Sequence, residues 1–106
     1  MTSAGVRPVE KWADVGVLRM RYLDWGGSGS PVVALHGLAS SAHWYDLVAP
    51  HLSQRHRVVA PDQRGHGQTT QAATSYDWQT LASDIAGLMD HLSIEQAAVL
   101  GHSWGA

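Results

Sequence analysis

The feature that most constrains this chain is a set of three short apolar runs, Val32-Val33-Ala34-Leu35, Val58-Val59-Ala60 and Ala97-Ala98-Val99-Leu100. None of them alternates with polar residues. A strand that presents an apolar side chain at every position must be covered on both faces, and such strands belong to parallel sheets. Parallel neighbours need a crossover connection, usually a helix. The intervening segments supply candidates. Between His43 and Ser53, Trp44, Leu47, Val48 and Leu52 fall at helical spacing, and Pro50 removes a backbone donor, so the spacing predicts a short or kinked helix. Between Tyr76 and Leu92, Trp78, Leu81, Ala82, Ile85, Leu88, Met89 and Leu92 form one stripe. That stripe predicts an amphipathic helix with Trp78 in the core. Thr74 or Ser75 can cap its start, and Asp77 suits the positive end of the helix dipole. Gly87 in its interior costs about 1 kcal/mol relative to alanine, which a close packing contact would explain. Strand, helix, strand, helix, strand is the pattern of an α/β sheet with helices on both faces.

The segment upstream behaves differently. From Val15 to Trp25, Leu18, Met20 and Tyr22 alternate with Arg19 and Arg21. Period two with one polar face predicts a strand near a sheet edge, in antiparallel pairing. Trp12 and Trp25 are expected to pack around the leading strands. Gly26-Gly27-Ser28-Gly29-Ser30, followed by Pro31, reads as a turn between strands and not as a linker.

Composition excludes several classes. A chain of 106 residues, 44% apolar, fits one domain. No run approaches the ~18–20 consecutive apolar residues of a membrane span. Met1 to Glu10 has neither the apolar centre nor the small-residue cleavage site of a secretory signal. There is no cysteine, hence no disulfide and no thiolate metal site. That usage suits a reducing compartment, and the expected location is the cytoplasm. A net charge of −2 gives no reason to expect nucleic acid or an anionic membrane as partner. Charged residues are 15% of the chain, against about 25% in a typical soluble domain. A small domain has much surface for its volume, so it should need more charge. Ordinary scatter is one reading; the other is that part of this surface belongs inside a larger body.

The chemistry gathers where the apolar runs end. Gly101-His102-Ser103-Trp104-Gly105 follows the third run directly. Gly-x-Ser-x-Gly after a buried strand is the context of a nucleophile elbow. A serine on a sharp strand-to-helix turn exposes its hydroxyl. The positions two before and two after it crowd neighbouring elements, so both must be small, as Gly101 and Gly105 are. The helix that follows directs its N-terminal N–H groups at the reacting centre, and the backbone N–H of Trp104 becomes one candidate oxyanion donor. A second donor is expected from the loop after an earlier central strand. His36-Gly37-Leu38 occupies that position, with Gly37 permitting a tight turn and the N–H of Leu38 as candidate donor. A third segment, Pro61-Asp62-Gln63-Arg64-Gly65-His66-Gly67, follows the second run.

With these three motifs in this order, the sequence resembles the N-terminal portion of the α/β-hydrolase fold family. The similarity is to the single-domain type that includes esterases, lactonases, haloperoxidase-like enzymes and epoxide hydrolases. It covers Val15 to Ala106. The resemblance implies a mostly parallel sheet with two leading antiparallel strands and flanking helices. Residues 1–14 are then a loosely held segment or a first edge strand, and residues 15–106 the N-terminal part of an incomplete domain. The resemblance implies Ser103 as nucleophile, with Leu38 and Trp104 forming the oxyanion hole. The epoxide hydrolases of the family carry Asp where Ser103 stands. An aspartate attacks an alkyl carbon, whereas a serine forms an acyl-enzyme from an ester, lactone or related substrate, so Ser103 argues for a small-molecule acyl substrate.

In this fold the chain order is serine, acid, histidine. Only Trp104, Gly105 and Ala106 follow Ser103. The acid and base are therefore expected in a missing C-terminal half of the same domain, and the isolated chain is expected to be inactive. The strand Ala97 to Leu100 is expected to form a bare apolar edge. No cofactor is implied, since the mechanism needs only protein groups. A different class is a non-catalytic binding or scaffold protein on the same fold, because fold does not fix function. A dinucleotide-binding sheet is disfavoured, since His36-Gly37-Leu38-Ala39-Ser40 lacks the Gly-x-Gly-x-x-Gly pattern.

The seven histidines show no metal-binding spacing, and no metal is expected. His102 is expected to point away from the serine hydroxyl in a structural role, and His36 to orient its own loop. Asp62 and His66 are expected to hold the glycine-rich turn, with Asp62 pairing with Arg64. His43, His51, His56 and His91 are expected to be solvated. Trp44 either lines the substrate pocket or packs beneath it, and the ring of Trp104 is a candidate pocket wall.

Overall fold

In the computed structural model, which describes residues 7–16, 18–37, 40–67, 69 and 78–101, the three apolar runs become neighbouring parallel strands. The strands are β1 (Val9–Val15), β2 (Leu18–Gly26), β3 (Pro31–Leu35), β4 (Arg57–Pro61) and β5 (Ala98–Gly101). They form one sheet in the order β1-β2-β4-β3-β5. β3 lies between β4 and β5 and runs parallel to both, while β2 is antiparallel to β1 and to β4. The first crossover leads from β3 to β4 on one side. The second returns across β3 to β5 on the other. A reversal of this kind leaves a crevice at the carboxyl ends of the strands.

Side-chain alternation divides the core between the two faces. On one face Leu23, Trp25, Ala34, Val58 and Ala60 meet Ala42, Tyr45 and Ala49 from the β3–β4 crossover. On the other, Leu18, Met20, Tyr22 and Val59 meet Leu88, and Val33 and Leu35 meet Ile85. The central strands are thus covered twice, which is why their sequences do not alternate.

The alternating segment differs from the sequence expectation in two ways. A turn at Gly16, at φ 60, divides it, and the residues before the turn form β1, with Val15 opposite Leu18. The second face of β2 is also not a solvated polar one. Leu23 and Trp25 are core residues there, and Arg21 is only 7% exposed. β2 is an interior strand with β4 on its far side, so its arginine needed a buried partner.

The β3–β4 crossover contains a 3-10 turn, Ala42–Tyr45, and a short helix α1, Ala49–Leu52. Pro50 lies in the first turn of α1, where its missing N–H leaves no helical bond unmade. The interruption falls before the proline. The second crossover contains α2, Trp78–His91. The cap candidates Thr74, Ser75 and Asp77 lie outside the described residues. Trp78 is 63% exposed, contrary to its expected place in the core. It is the first residue of the helix, and the buried stripe begins one turn later with Leu81, Ile85 and Leu88. At the other end, the N–H of Ile94 bonds to the Met89 carbonyl at 2.9 Å and that of Ser93 to Asp90 at 3.1 Å. With Ser93 at φ 57, this closes the helix as a left-handed cap.

At the far edge of the sheet β5 leaves Val99 59% and Leu100 37% exposed. On the opposite edge α2 packs on β1. A Cβ on Gly87 would stand 2.5 Å from Cγ1 of Val15, a stiff β-branched side chain, so glycine is what lets helix and strand approach. In the full-length protein Gly87→Ala is expected to destabilise the fold by about 1–3 kcal/mol through overpacking, despite alanine's better helix propensity. Most of that cost should vanish in a Val15→Ala background. Urea denaturation of the four combinations measures both effects.

Candidate active site

Because β3, β4 and β5 are parallel, their carboxyl ends lie on one side of the sheet. Leu35 is paired with Gly101 across the β3–β5 ladder. The carboxyl ends of β3 and β5 therefore lie on neighbouring strands at the same level, about 4.8 Å apart. Asp62 follows the end of β4 on the same side. Of the sequence-predicted site residues, His36, Gly37, Trp44, Asp62 and Gly101 are described; Leu38, His102, Ser103, Trp104 and Gly105 lie outside the described residues.

His36 is fully buried. Its Nδ1 lies 2.7 Å from the Gly37 carbonyl, which can only accept, so Nδ1 carries the proton. Nε2 is then free to accept the Gln63 N–H at 2.9 Å. The Gln63 side-chain amide donates to the His36 carbonyl at 2.8 Å. The imidazole is thus used on both sides as a neutral ring. Burial pushes its pKa below the usual 6.5; the bond to Gly37 and the charge of Asp62 act in the opposite sense, and His66, whose ring centroid is 5.0 Å away, adds to the lowering.

Asp62 is also fully buried. Its Oδ2 accepts from Arg21 Nε at 2.7 Å, and its Oδ1 accepts the backbone N–H of Ala42 at 2.7 Å. Arg21 reaches Glu10 on β1 at 3.2 Å through Nη1. The Thr69 hydroxyl joins the same group, accepting the Arg21 N–H at 3.0 Å and donating to the Asp62 carbonyl at 2.7 Å. Gly67, at φ +53, backs directly onto the Asp62 carboxylate, and any Cβ there would collide with it. Arg64 forms a two-point pair with Asp84 of α2, at 2.7 and 2.9 Å. The expected pairing of Asp62 with Arg64 is thereby corrected. Each is ion-paired to a residue brought in by tertiary folding, Asp62 to a strand and Arg64 to a helix.

Tyr45 closes the arrangement from below. Its hydroxyl is 2.7 Å from the Leu35 carbonyl and 3.3 Å from that of Leu100, sharing one proton between the ends of β3 and β5. Burial raises its pKa above the usual 10.0. Trp44, one residue earlier, is 52% exposed. The 3-10 turn is capped by Ser41, whose side chain accepts the His43 N–H. His43, His51 and His91 are exposed and His56 is half-buried. Among the described residues no group of three or more histidines and carboxylates is disposed to hold a metal.

Sequence reasoning missed Arg21, Tyr45, Gln63 and Asp84. Asp84 had a readable signal. It lies three residues after Leu81 and four before Leu88, so an acid falls within the apolar stripe of α2 and requires a buried cation. Arg21 and Tyr45 had none, since their partners are far away in sequence.

The sequence model of the alpha/beta hydrolase fold family matches residues 30–106, and the chain belongs to that family. The soluble epoxide hydrolase of Corynebacterium sp. (strain C12) is 40% identical over 87 residues, covering 82% of this chain and 30% of that protein. The bifunctional esterase/perhydrolase DCH of Acinetobacter calcoaceticus is 37% identical over 86 residues, covering 79% of this chain and 31% of that protein. The crystal structure of epoxide hydrolase VrEH1 from Vigna radiata superposes with a TM-score of 0.87 at 30% identity, over 93% of this chain and 33% of that one. The chain spans about a third of the length of these relatives. Among the described residues no helix is long and apolar enough to cross a membrane.

The neutral, buried His36 has a consequence for stability. Its folded pKa lies below the unfolded value of 6.5, so its contribution is complete above pH 6.5 and is lost as the pH falls through the folded pKa. The full-length protein should therefore lose stability from pH 6.5 downward. His36→Gln, which has no group titrating there, should show a shallower decline over the same interval. Urea midpoints measured between pH 5 and 8 check this.

Proposed function

We propose that the protein carrying this chain hydrolyses a small-molecule acyl substrate, an ester, lactone or related compound, through an acyl-enzyme on Ser103. The observation that supports this most is the pairing of Leu35 with Gly101, since it brings together the carboxyl ends of the two strands that Leu38 and Ser103 follow in sequence. Ser103 Oγ attacks the substrate carbonyl carbon and its proton passes to a histidine base. The N–H groups of Leu38 and Trp104 hold the oxygen on which negative charge develops. Collapse expels the alcohol, which takes the proton from the histidine, and water then releases the acid by the same route. The acid and the histidine come from chain beyond Ala106. No cofactor is needed. Trp44, exposed on the turn that follows Leu38, is a candidate substrate contact, as is the ring of Trp104.

Relatives named as epoxide hydrolases raise the question of alkyl chemistry. The serine at position 103 favours acyl transfer, since opening an epoxide through a covalent ester calls for a carboxylate nucleophile. The esterase/perhydrolase relative is consistent with that choice. For the compartment our reading is the cytoplasm, because a chain without cysteine suits a reducing environment.

A fluorophosphonate probe should label the full-length protein at Ser103, and Ser103→Ala should abolish labelling. An unlabelled, folded full-length protein would support a binding or scaffold role instead. Leu38→Pro, which removes a backbone donor, should lower ester turnover by ~10²–10³. Residues 1–106 alone should hydrolyse p-nitrophenyl acetate no faster than their own Ser103→Ala variant.

A further inference from the structure

Residues 37–41 join β3 to the 3-10 turn and include Leu38. The two ends of this segment are tied to consecutive residues of a single loop. At its start, Gln63 binds His36 twice, by its N–H to Nε2 and by its side-chain amide to the His36 carbonyl, and the His36 ring donates from Nδ1 to the Gly37 carbonyl. At its end, the N–H of Ala42 is bound by the carboxylate of Asp62. We propose that Asp62, clamped by Arg21, is a positioning residue for the oxyanion segment. It fixes the end at Ala42 while Gln63 and His36 fix the start. The inference rests on the hydrolase reading above, in which the Leu38 N–H is a donor.

The geometry goes beyond what a stabilising ion pair requires. Each Asp62 oxygen is committed, Oδ2 to Arg21 and Oδ1 to Ala42, both at 2.7 Å. An amide bonded to a charged acceptor at that distance is a strong, directional contact. Arg21 projects from the middle of β2, is itself buried, and is held in turn by Glu10. Gly67 leaves the space the carboxylate fills. The carboxylate therefore has little freedom to rotate, and the Ala42 amide inherits that rigidity. For stability alone, an apolar pair of similar volume would serve as well or better. An oxyanion donor, in contrast, must stand at hydrogen-bond distance from the developing charge, and a misplacement of ~1 Å can cost about 10²-fold in rate.

The test uses the full-length protein with Arg21→Met, Asp62→Ala and the double variant Arg21→Met/Asp62→Asn. The double variant removes both charges but leaves a side-chain oxygen at position 62 for the Ala42 amide. Amide hydrogen exchange is followed at Ala42, with Val33 and Val59 as internal references, and kcat and KM are measured with p-nitrophenyl acetate. Positioning predicts that Arg21→Met and Asp62→Ala speed exchange at Ala42 by about tenfold or more, with the references unchanged. It predicts a fall in kcat of about 10²-fold, as expected for a displacement of ~1 Å, with KM within a factor of about three. The double variant should recover most of both losses, which a purely ionic role would not allow. The proposal is overturned if exchange at Ala42 is unchanged, if the references accelerate equally, if the loss lies in KM alone, or if the double variant recovers nothing. Should Asp62→Ala fail to fold, Arg21→Met and the double variant decide. If the parent protein neither cleaves the ester nor takes the fluorophosphonate at Ser103, the hydrolase reading fails by itself. Exchange at Ala42 then decides the clamp, faster supporting it and unchanged refuting it.

Discussion

The parallel pairing of β3 with β4 on one side and β5 on the other is the constraint from which the rest of this structure follows. Parallel strands end together. Three strand ends that are far apart in sequence, at Leu35, Pro61 and Gly101, are thereby delivered to one edge. The return of the second crossover past β3 keeps the first and third of these ends on adjacent strands. A chain in which β5 added next to β4 would carry the same motifs and would separate them by a further strand. The pairing in turn depends on burial from both faces, which the crossovers and α2 supply through Tyr45, Ala49, Ile85 and Leu88.

Upon that frame lies a buried polar layer. Asp62 with Arg21, Arg64 with Asp84, and His36 with Gln63 are all buried and all satisfied by side-chain or backbone partners. Breaking one partner of a buried pair typically costs about 3–5 kcal/mol, yet replacing the whole pair by apolar groups is often neutral. Stability alone therefore does not account for the layer. Its connections do. Each pair binds one motif loop to another element: β4's loop to β2, the same loop to α2, and the loop after β3 to the loop after β4. The layer thereby holds the loops after β3 and β4 to the sheet.

Much of this was readable beforehand, for definite reasons. The runs at Val32 and Val58 announced parallel strands because double coverage suppresses alternation; the run at Ala97 joins them in parallel, but Ala98, Val99 and Leu100 are exposed at the sheet edge. The stripe from Leu81 to Leu88 announced α2, and Gly87 its close approach. The motifs and their order announced the family. Where the reading departed from the structure, it did so at ends and at partners. Trp78 matched the stripe in phase but sits at the helix terminus, where periodicity carries no information about coverage. Arg21 matched a solvent face in phase, because a period-two pattern cannot tell a solvated arginine from one held by a carboxylate 41 residues away.

The sequence by itself determined the kinds of element, their order, and the residue types at the three loops, because these depend on local backbone preferences and on the period of apolar side chains. Only the tertiary structure decided which strand lies beside which, and hence that Leu35 meets Gly101 and that Tyr45 reaches the ends of both strands. It alone decided that Asp62 belongs to Arg21 and Arg64 to Asp84. A charged side chain is compatible with any opposite charge along the chain. Which one it meets is settled when burial removes water as the alternative partner and the packed strands and helix bring particular counter-charges within reach.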